Sequence, residues 1–162
     1  MNALTLESAI TAASALQTSL ASPDAAARAT DRMDQRFLEM LRLYRTRGGL
    51  AREEEVVRRM SHCASRPRRD CEPGHAHDSV IRLAWGGTAW LPLFQFCKED
   101  MTVRAETARV VIELAPVFDG WAIAEWVTAP NSWLLNRPPI DVLDSHIQAV
   151  IDAARADRFI AE

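Results

Sequence analysis

Five side chains of the kinds that bind zinc lie close together in the segment HCASRPRRDCEPGHAH, residues 62 to 77. They are His62, Cys63, Cys71, His75 and His77. Four thiolate or imidazole groups can hold a zinc ion in a tetrahedral site. The segment nevertheless has neither a Cys-x-x-Cys pair nor a histidine pair at the spacing of a zinc finger. We therefore expect an ordinary polar loop, with no bound metal and no cofactor.

The side chains that could act as nucleophiles lack suitable partners. Ser145 and His146 are adjacent in a predicted helix, where successive side chains point about 100° apart, so they should not form a nucleophile and base pair. Cys97 precedes Lys98 and Glu99 and has no nearby histidine in its predicted hairpin. The chain also has no glycine-rich phosphate loop. These observations predict a protein without catalytic residues.

Charge is distributed unevenly along the 162 residues. Residues 27 to 70 contain twelve arginines against seven acidic residues, whereas residues 71 to 162 contain seven basic against thirteen acidic residues. This polarity suits a first half that contacts an acidic partner and a second half that contacts something else. Arginines on a solvated helix face explain it equally well.

Composition indicates a cytoplasmic, soluble, bacterial protein. With 48% hydrophobic residues, the chain can bury the core of one compact domain, or of one domain with a small appendage. All basic residues except Lys98 are arginines, which is typical of a GC-rich bacterial genome. Three cysteines, an odd number, favour reduced thiols in a cytoplasm. The N-terminus does not resemble a signal peptide, and no apolar run approaches the ~20 residues of a membrane span.

Two helical regions are predicted in the first half of the chain. Residues 1 to 24 contain an amphipathic helix over 4 to 20, whose apolar stripe needs a partner surface and suggests a homodimer. Residues 25 to 78 contain an Arg-rich helix pair, DRMDQRFLEMLRLYRTR and LAREEEVVRRM, joined at Gly48-Gly49, and then a loop. The pair resembles part of a helix-turn-helix, although the expected third helix is replaced by the loop.

Residues 79 to 162 are predicted to form a helical domain that begins with one β-hairpin. In residues 80 to 96, Val80, Arg82 and Ala84 alternate with Ile81, Leu83 and Trp85, and an aromatic-rich run returns after Gly86-Gly87. Pro92 should confine the returning strand to an edge or a bulge. Two short helices and one long terminal helix, which starts near Pro139, should follow. Trp121, Trp126 or Trp133 is expected to be exposed as an interaction anchor. The fold class is therefore mainly α, with one hairpin in the middle.

The segment EWVTAPNSWLLNRPPIDVLDSHIQAVIDAARAD resembles the toxin-binding module shared by Xre, MbcA and ParS type antitoxins, in which a helix ends in Trp and a "pN.wL...P.dlL" segment follows. The hairpin end WLPLFQF is similar to the "yPafQFd" element that often precedes this module, with Cys97 where Asp is usual. The resemblance covers roughly residues 80 to 160. The matching positions are Trp126, Pro130, Asn131, Trp133, Leu134, Pro138, Asp141 and Leu143.

The resemblance implies a non-catalytic antitoxin-like protein that binds a RES-type, NAD-consuming toxin through those eight positions. Antitoxins of this type also repress their own operon. The same eight residues would equally suit a tight helical turn that serves only stability. The main alternative is a winged-helix DNA-binding regulator, and a zinc-dependent or thiol enzyme is a further one. DNA would contact Arg42, Arg45, Arg47, Arg52, Arg58 and Arg59.

Overall fold

The computed structural model describes residues 23 to 63 and 79 to 162. Within them the chain is mainly α-helical, with a small antiparallel sheet, as predicted. The helices are α1 (Pro23–Tyr44), α2 (Glu53–Cys63), α3 (Ala105–Leu114), α4 (Gly120–Thr128), α5 (Pro139–Val142) and α6 (Ile147–Ala161). The strands are β1 (Leu50–Arg52), β2 (Leu83–Trp85) and β3 (Thr88–Pro92). Short 3-10 turns cover Arg45–Arg47, Leu93–Gln95 and Ser132–Leu134.

The chain divides into two units, Met1–Phe37 and Leu38–Glu162. Within the first unit the described residues form the greater part of α1. The second unit contains the rest of α1 and all the other elements named above. The predicted dimerisation helix over 4 to 20 lies outside the described residues. No helix within the described ranges is long and apolar enough to cross a membrane.

The sheet has the strand order β1-β3-β2, and both pairs are antiparallel. The predicted hairpin is present: β2 and β3 are joined by Gly86 and Gly87, with φ of 58° and 70°. Positive φ at both central residues is the geometry of a type I′ turn, which glycine adopts without strain. The expectation for Pro92 is wrong, because β3 is the central strand of the sheet.

The side chain of Gln95 explains how a central strand tolerates Pro92. Successive backbone N–H groups of a strand point to opposite sides. Leu93 N donates to Gly49 O (2.9 Å) beside β1, so Pro92 lacks its donor on the β2 side. There the buried Gln95 amide accepts from Ile81 N (2.8 Å) and donates to Ile81 O (3.1 Å). This amide supplies the hydrogen bonds that a longer β2 would otherwise have needed.

Leu50–Arg52, predicted to start the second helix, instead forms β1. Ala51 is buried with Val56, Leu91, Phe96 and Met101, and pairing with β3 therefore overrides the helical propensity of LAREEE. The helix begins directly after β1, at Glu53. Glu53, Glu54 and Glu55 occupy its first turn and interact favourably with the helix dipole. The two helices of the Arg-rich region are consequently connected by a 3-10 turn and a strand.

The long terminal helix predicted from Pro139 is interrupted between α5 and α6. His146 has φ −142° and ψ 49°, which is not helical. Ser145 N and His146 N both donate to Val142 O, at 3.2 and 2.8 Å, and Ser145 Oγ lies 3.3 Å from the same oxygen. Asp144 forms an ion pair with Arg104. Polar side chains that bond locally or to another element compete with the helical backbone, and they break this helix.

Tyr44, at the end of α1, is completely buried, and its hydroxyl donates to Ala124 O in α4 (2.8 Å). Burial raises the pKa of this hydroxyl above its usual value, and the smaller effect of Arg47 lowers it. Tyr44 is therefore a neutral donor throughout the physiological range. Its ring also stacks on Phe94, with centroids 5.7 Å apart.

We expect Tyr44→Phe to reduce the free energy of unfolding by about 1 kcal/mol. The cost is limited because Ala124 O also accepts from Thr128 Oγ1 (3.0 Å), so this carbonyl keeps a partner. Chemical denaturation would measure the change. A loss well above 3 kcal/mol would contradict this account, since it would require more than one hydrogen bond.

Candidate partner-binding surface

Asp157 in α6 accepts hydrogen bonds from three side chains of the segment that resembles the antitoxin module. Trp126 Nε1 and Asn131 Nδ2 each donate to Asp157 Oδ2 at 2.7 Å. Trp133 Nε1 donates to Asp157 Oδ1 at 3.1 Å. Hydrogen bonds to an ionised acceptor are roughly twice as strong as neutral ones. One carboxylate thus fixes the end of α4 and the following loop against α6.

The loop from 129 to 138 is also held by its own backbone. Asn131 Oδ1 accepts from Trp133 N (2.9 Å), which caps the 3-10 turn, and Asn131 O accepts from the N–H groups of Leu134 and Asn136 (3.0 and 2.9 Å). Leu135 and Asn136 have φ of 57° and 58°. Left-handed φ is unfavourable for leucine, so tertiary contacts must impose this conformation. The loop is a rigid structure that Asn131 organises.

Large apolar side chains are exposed on this loop and at the end of α6. Trp133 is 59% exposed and Leu135 88%, and Phe159 and Ile160 are 79% and 74% exposed. The Trp133 indole bonds to Asp157 on α6. Ile160, three residues after Asp157, shares that helix face, whereas Phe159, two residues after it, points to the opposite side. We call Trp133, Leu135 and Ile160 the terminal apolar surface. Isolated exposed apolar residues are common, but grouped ones mark interaction sites.

The predicted partner-binding residues divide by exposure. Asn131, Leu134 and Leu143 are buried, and Trp126 and Pro138 are half-buried. The exposed members are Pro130, Trp133 and Asp141. Most of the matching positions are therefore buried or half-buried, and Trp133 is the large side chain among them that the loop exposes to solvent. The expectation that one of three tryptophans is exposed is confirmed for Trp133, whereas Trp121 is buried.

Sequence reasoning missed Asp157 and the exposed residues near it. A signal for Asp157 was present, because Val150, Ala154 and Asp157 follow the i, i+4, i+7 spacing of one helix face. A carboxylate on an apolar stripe whose other members are buried needs donors. No comparable signal identifies Leu135, because its exposure depends on the left-handed turn.

An ion pair connects two residues that were predicted to contact different partners. Asp141, from the toxin-binding set, forms an ion pair with Arg47, from the DNA-binding set. Of the other candidate arginines, Arg42 pairs with Glu39 (3.8 Å) and Arg59 with Glu55. The Arg52 guanidinium lies 5.4 Å from the ring centroid of Trp90. These contacts spread the arginines over several elements, and DNA binding stays a prediction.

Arg45 and Arg58, the remaining candidates for DNA contact, are exposed. The position of the expected third helix falls in residues 64 to 78, outside the described residues. Cys71, His75 and His77 lie there as well. His62, at the end of α2, is exposed, and its Nδ1 lies 2.7 Å from Arg58 O. Among the described residues, no three His, Cys, Asp or Glu side chains form a possible metal site.

Ser145 and His146 are closer than the predicted helix would allow. Because the backbone at His146 is not helical, His146 Nδ1 lies 2.7 Å from Ser145 Oγ. The expectation that these side chains cannot meet is therefore wrong. Both residues are exposed at the start of α6.

No protein-family model, curated protein or solved structure matches this chain. Its likeness to the antitoxin module therefore rests on the motif positions within residues 80 to 160 alone.

Proposed function

We propose that this protein is a non-catalytic, antitoxin-like protein that binds and neutralises a RES-type, NAD-consuming toxin. The observation that supports the proposal best is the terminal apolar surface, in which Trp133 is exposed on a loop fixed by Asp157. Two residues of this surface, Trp133 and Leu135, lie in the segment that resembles the toxin-binding module. The buried residues of that segment, Asn131 and Leu134, keep the loop in shape for the exposed ones.

The energetics of binding favour such a surface. Tryptophan is enriched among the residues that contribute most to interface affinity. A side chain or loop that is already ordered loses less entropy on binding than a mobile one. The Trp133 indole is anchored by its N–H to Asp157, and the Leu135 backbone is fixed in the left-handed turn. The surface is therefore preorganised for an apolar recess on a partner.

Co-expression with the RES-type toxin of the same operon tests this proposal. The unaltered chain should restore growth to cells that produce the toxin. Trp133→Ala should weaken the complex by about 2 kcal/mol, roughly thirtyfold in affinity, because a central aromatic anchor is lost. Growth will report this only when toxin is in excess, so the dissociation constant of the purified complex should be measured as well.

Val57→Ala is a matched control, because Val57 is 54% exposed on α2 and belongs to neither the loop nor α6. It should leave the affinity unchanged. Melting curves must show that Trp133→Ala is folded, and its 59% exposure makes that outcome expected. If folded Trp133→Ala neutralises the toxin as well as the unaltered chain, the terminal apolar surface is not the binding site. If the unaltered chain fails to restore growth, the antitoxin function itself is excluded.

A further inference from the structure

A second surface feature, separate from the terminal apolar surface, is a cleft of about 960 Å³ in the unit Leu38–Glu162. Its walls come from the 3-10 turn Arg45–Arg47, from the segment after β3 and from α5 with the residues that follow it. The volume is within the range of small-molecule sites. We refer to it below as the α5 cleft.

Two arginines are fixed at the α5 cleft by ion pairs to the same short segment. Arg47 Nη2 pairs with Asp141, and Arg104 Nη2 pairs with Asp144. The arginine side chains are 28% and 25% exposed, whereas Asp144 is 73% exposed. Each guanidinium is thus held in place, and for Arg104 the carboxylate that holds it is the more solvated partner. A guanidinium has five N–H donors, so one ion pair does not exhaust it.

The remaining lining has both a charged and an apolar component. Arg59 and Lys98 bring the cationic residues to four, against three acidic ones. Phe94 and Phe96 form part of the wall, and Phe94 is held because its ring stacks on the buried Tyr44. Ligand sites commonly combine an apolar wall with a few fixed polar groups.

We propose that the α5 cleft binds a small organic phosphate that carries an aromatic ring. Arginine recognises phosphate through two parallel N–H···O bonds, and it does so best when its geometry is already fixed. The phosphate would lie beside Arg104 and replace the Asp144 carboxylate, while Arg104 Nη1 stays oriented by its 3.5 Å hydrogen bond to Phe94 O. The ring would contact Phe94. This binding does not depend on the toxin, because the cleft and the terminal apolar surface share no residue.

Phenyl phosphate is a suitable probe, with inorganic phosphate and phenol as its two parts. At constant ionic strength, NMR titration of the full chain should show saturable binding of phenyl phosphate, with a dissociation constant on the order of 1 mM, as expected for a ligand of this size. Inorganic phosphate and phenol should each bind at least about tenfold more weakly, because each reaches only one part of the cleft.

Two substitutions change the binding in opposite directions. Asp144→Asn removes the competing carboxylate and should increase the affinity for phenyl phosphate severalfold, whereas Arg104→Gln should reduce it at least about tenfold. Arg155→Gln is the control, because Arg155 also pairs with a carboxylate, Glu113, but does not line the cleft. Melting temperatures should verify that all three variants are folded.

Each outcome either supports or overturns the phosphate site in the α5 cleft. Tighter binding by Asp144→Asn together with an unchanged affinity of Arg155→Gln supports the site. Absence of saturation in the unaltered chain, weaker binding by folded Asp144→Asn, or an equal loss in Arg155→Gln would each overturn it. Equal affinity for phenyl phosphate and inorganic phosphate would mean that the aromatic part of the proposal is wrong. If Arg104→Gln does not fold, Asp144→Asn still tests whether removal of the competing carboxylate increases the affinity for phenyl phosphate.

Discussion

Gly120→Ala is expected to destabilise the protein by about 3 kcal/mol, although glycine to alanine within a helix is usually stabilising. Gly120 is the first residue of α4. A Cβ atom there would lie 2.0 Å from the backbone oxygen of Arg82 and 3.0 Å from its carbonyl carbon. The first distance is too short for any real contact between such atoms, and the second is tighter than most. One backbone segment must therefore move, and overpacking of this kind costs more than the gain in helix propensity.

Neither segment can move easily. Arg82 directly follows Ile81, whose N–H and carbonyl are both bonded to the buried Gln95 amide. On the other side, Asp119 caps α4 through a 2.7 Å bond from Ala122 N to its Oδ1. A shift at Gly120 would break one of these hydrogen bonds. We therefore place the cost at the upper end of the range for overpacked sites.

Urea denaturation of Gly120→Ala and of Ala105→Gly measures this effect against a matched position. Ala105 is the first residue of α3 and is exposed, so its replacement by glycine should cost no more than about 1 kcal/mol. If Gly120→Ala is as stable as the unaltered chain, the close approach of α4 to Arg82 does not exist in solution.

Asp157→Ala should be the other strongly destabilising substitution, with a loss of about 2 to 4 kcal/mol in the free energy of unfolding. It leaves Trp126 Nε1 and Asn131 Nδ2 without their acceptor, and Asn131 is buried. Donors that cannot reach water retain their full desolvation cost. Trp133 adds little to this loss, because its exposed indole can bond to water instead.

Asp152→Ala in the same helix is the control. Asp152 is exposed and interacts with Gln148 and Arg155 within a helical turn or so, at 3.0 and 3.6 Å. Exposed pairs of this kind contribute less than about 1 kcal/mol, so Asp152→Ala should be nearly neutral. Equal unfolding midpoints for Asp157→Ala and Asp152→Ala in urea would show that Asp157 does not organise the loop. Under the proposed antitoxin function, Asp157→Ala should also weaken toxin binding, since it releases the Trp133 indole.

Local chemistry allowed parts of the loop to be predicted from the sequence, but not which of its side chains are exposed. Proline spacing and the capping side chain of Asn131 indicated a tight turn between helices, and the turn is present. Which of Trp121, Trp126 and Trp133 faces solvent could not be predicted, because that depends on where α6 lies. Asp157 contributes a polar group at that position, and its bond to the indole keeps Trp133 at the surface.

The sequence by itself determined the mainly helical class, the hairpin at Gly86-Gly87, and the two short helices α3 and α4. These features follow from residue spacing and from backbone preferences that act over a few positions. Only the tertiary structure decided that Pro92 lies in a central strand, that Arg47 meets Asp141, and that one carboxylate collects three donors. Each of these contacts joins groups far apart in the chain. Their partners are selected by packing and by the need to satisfy buried polar groups, which no local pattern encodes.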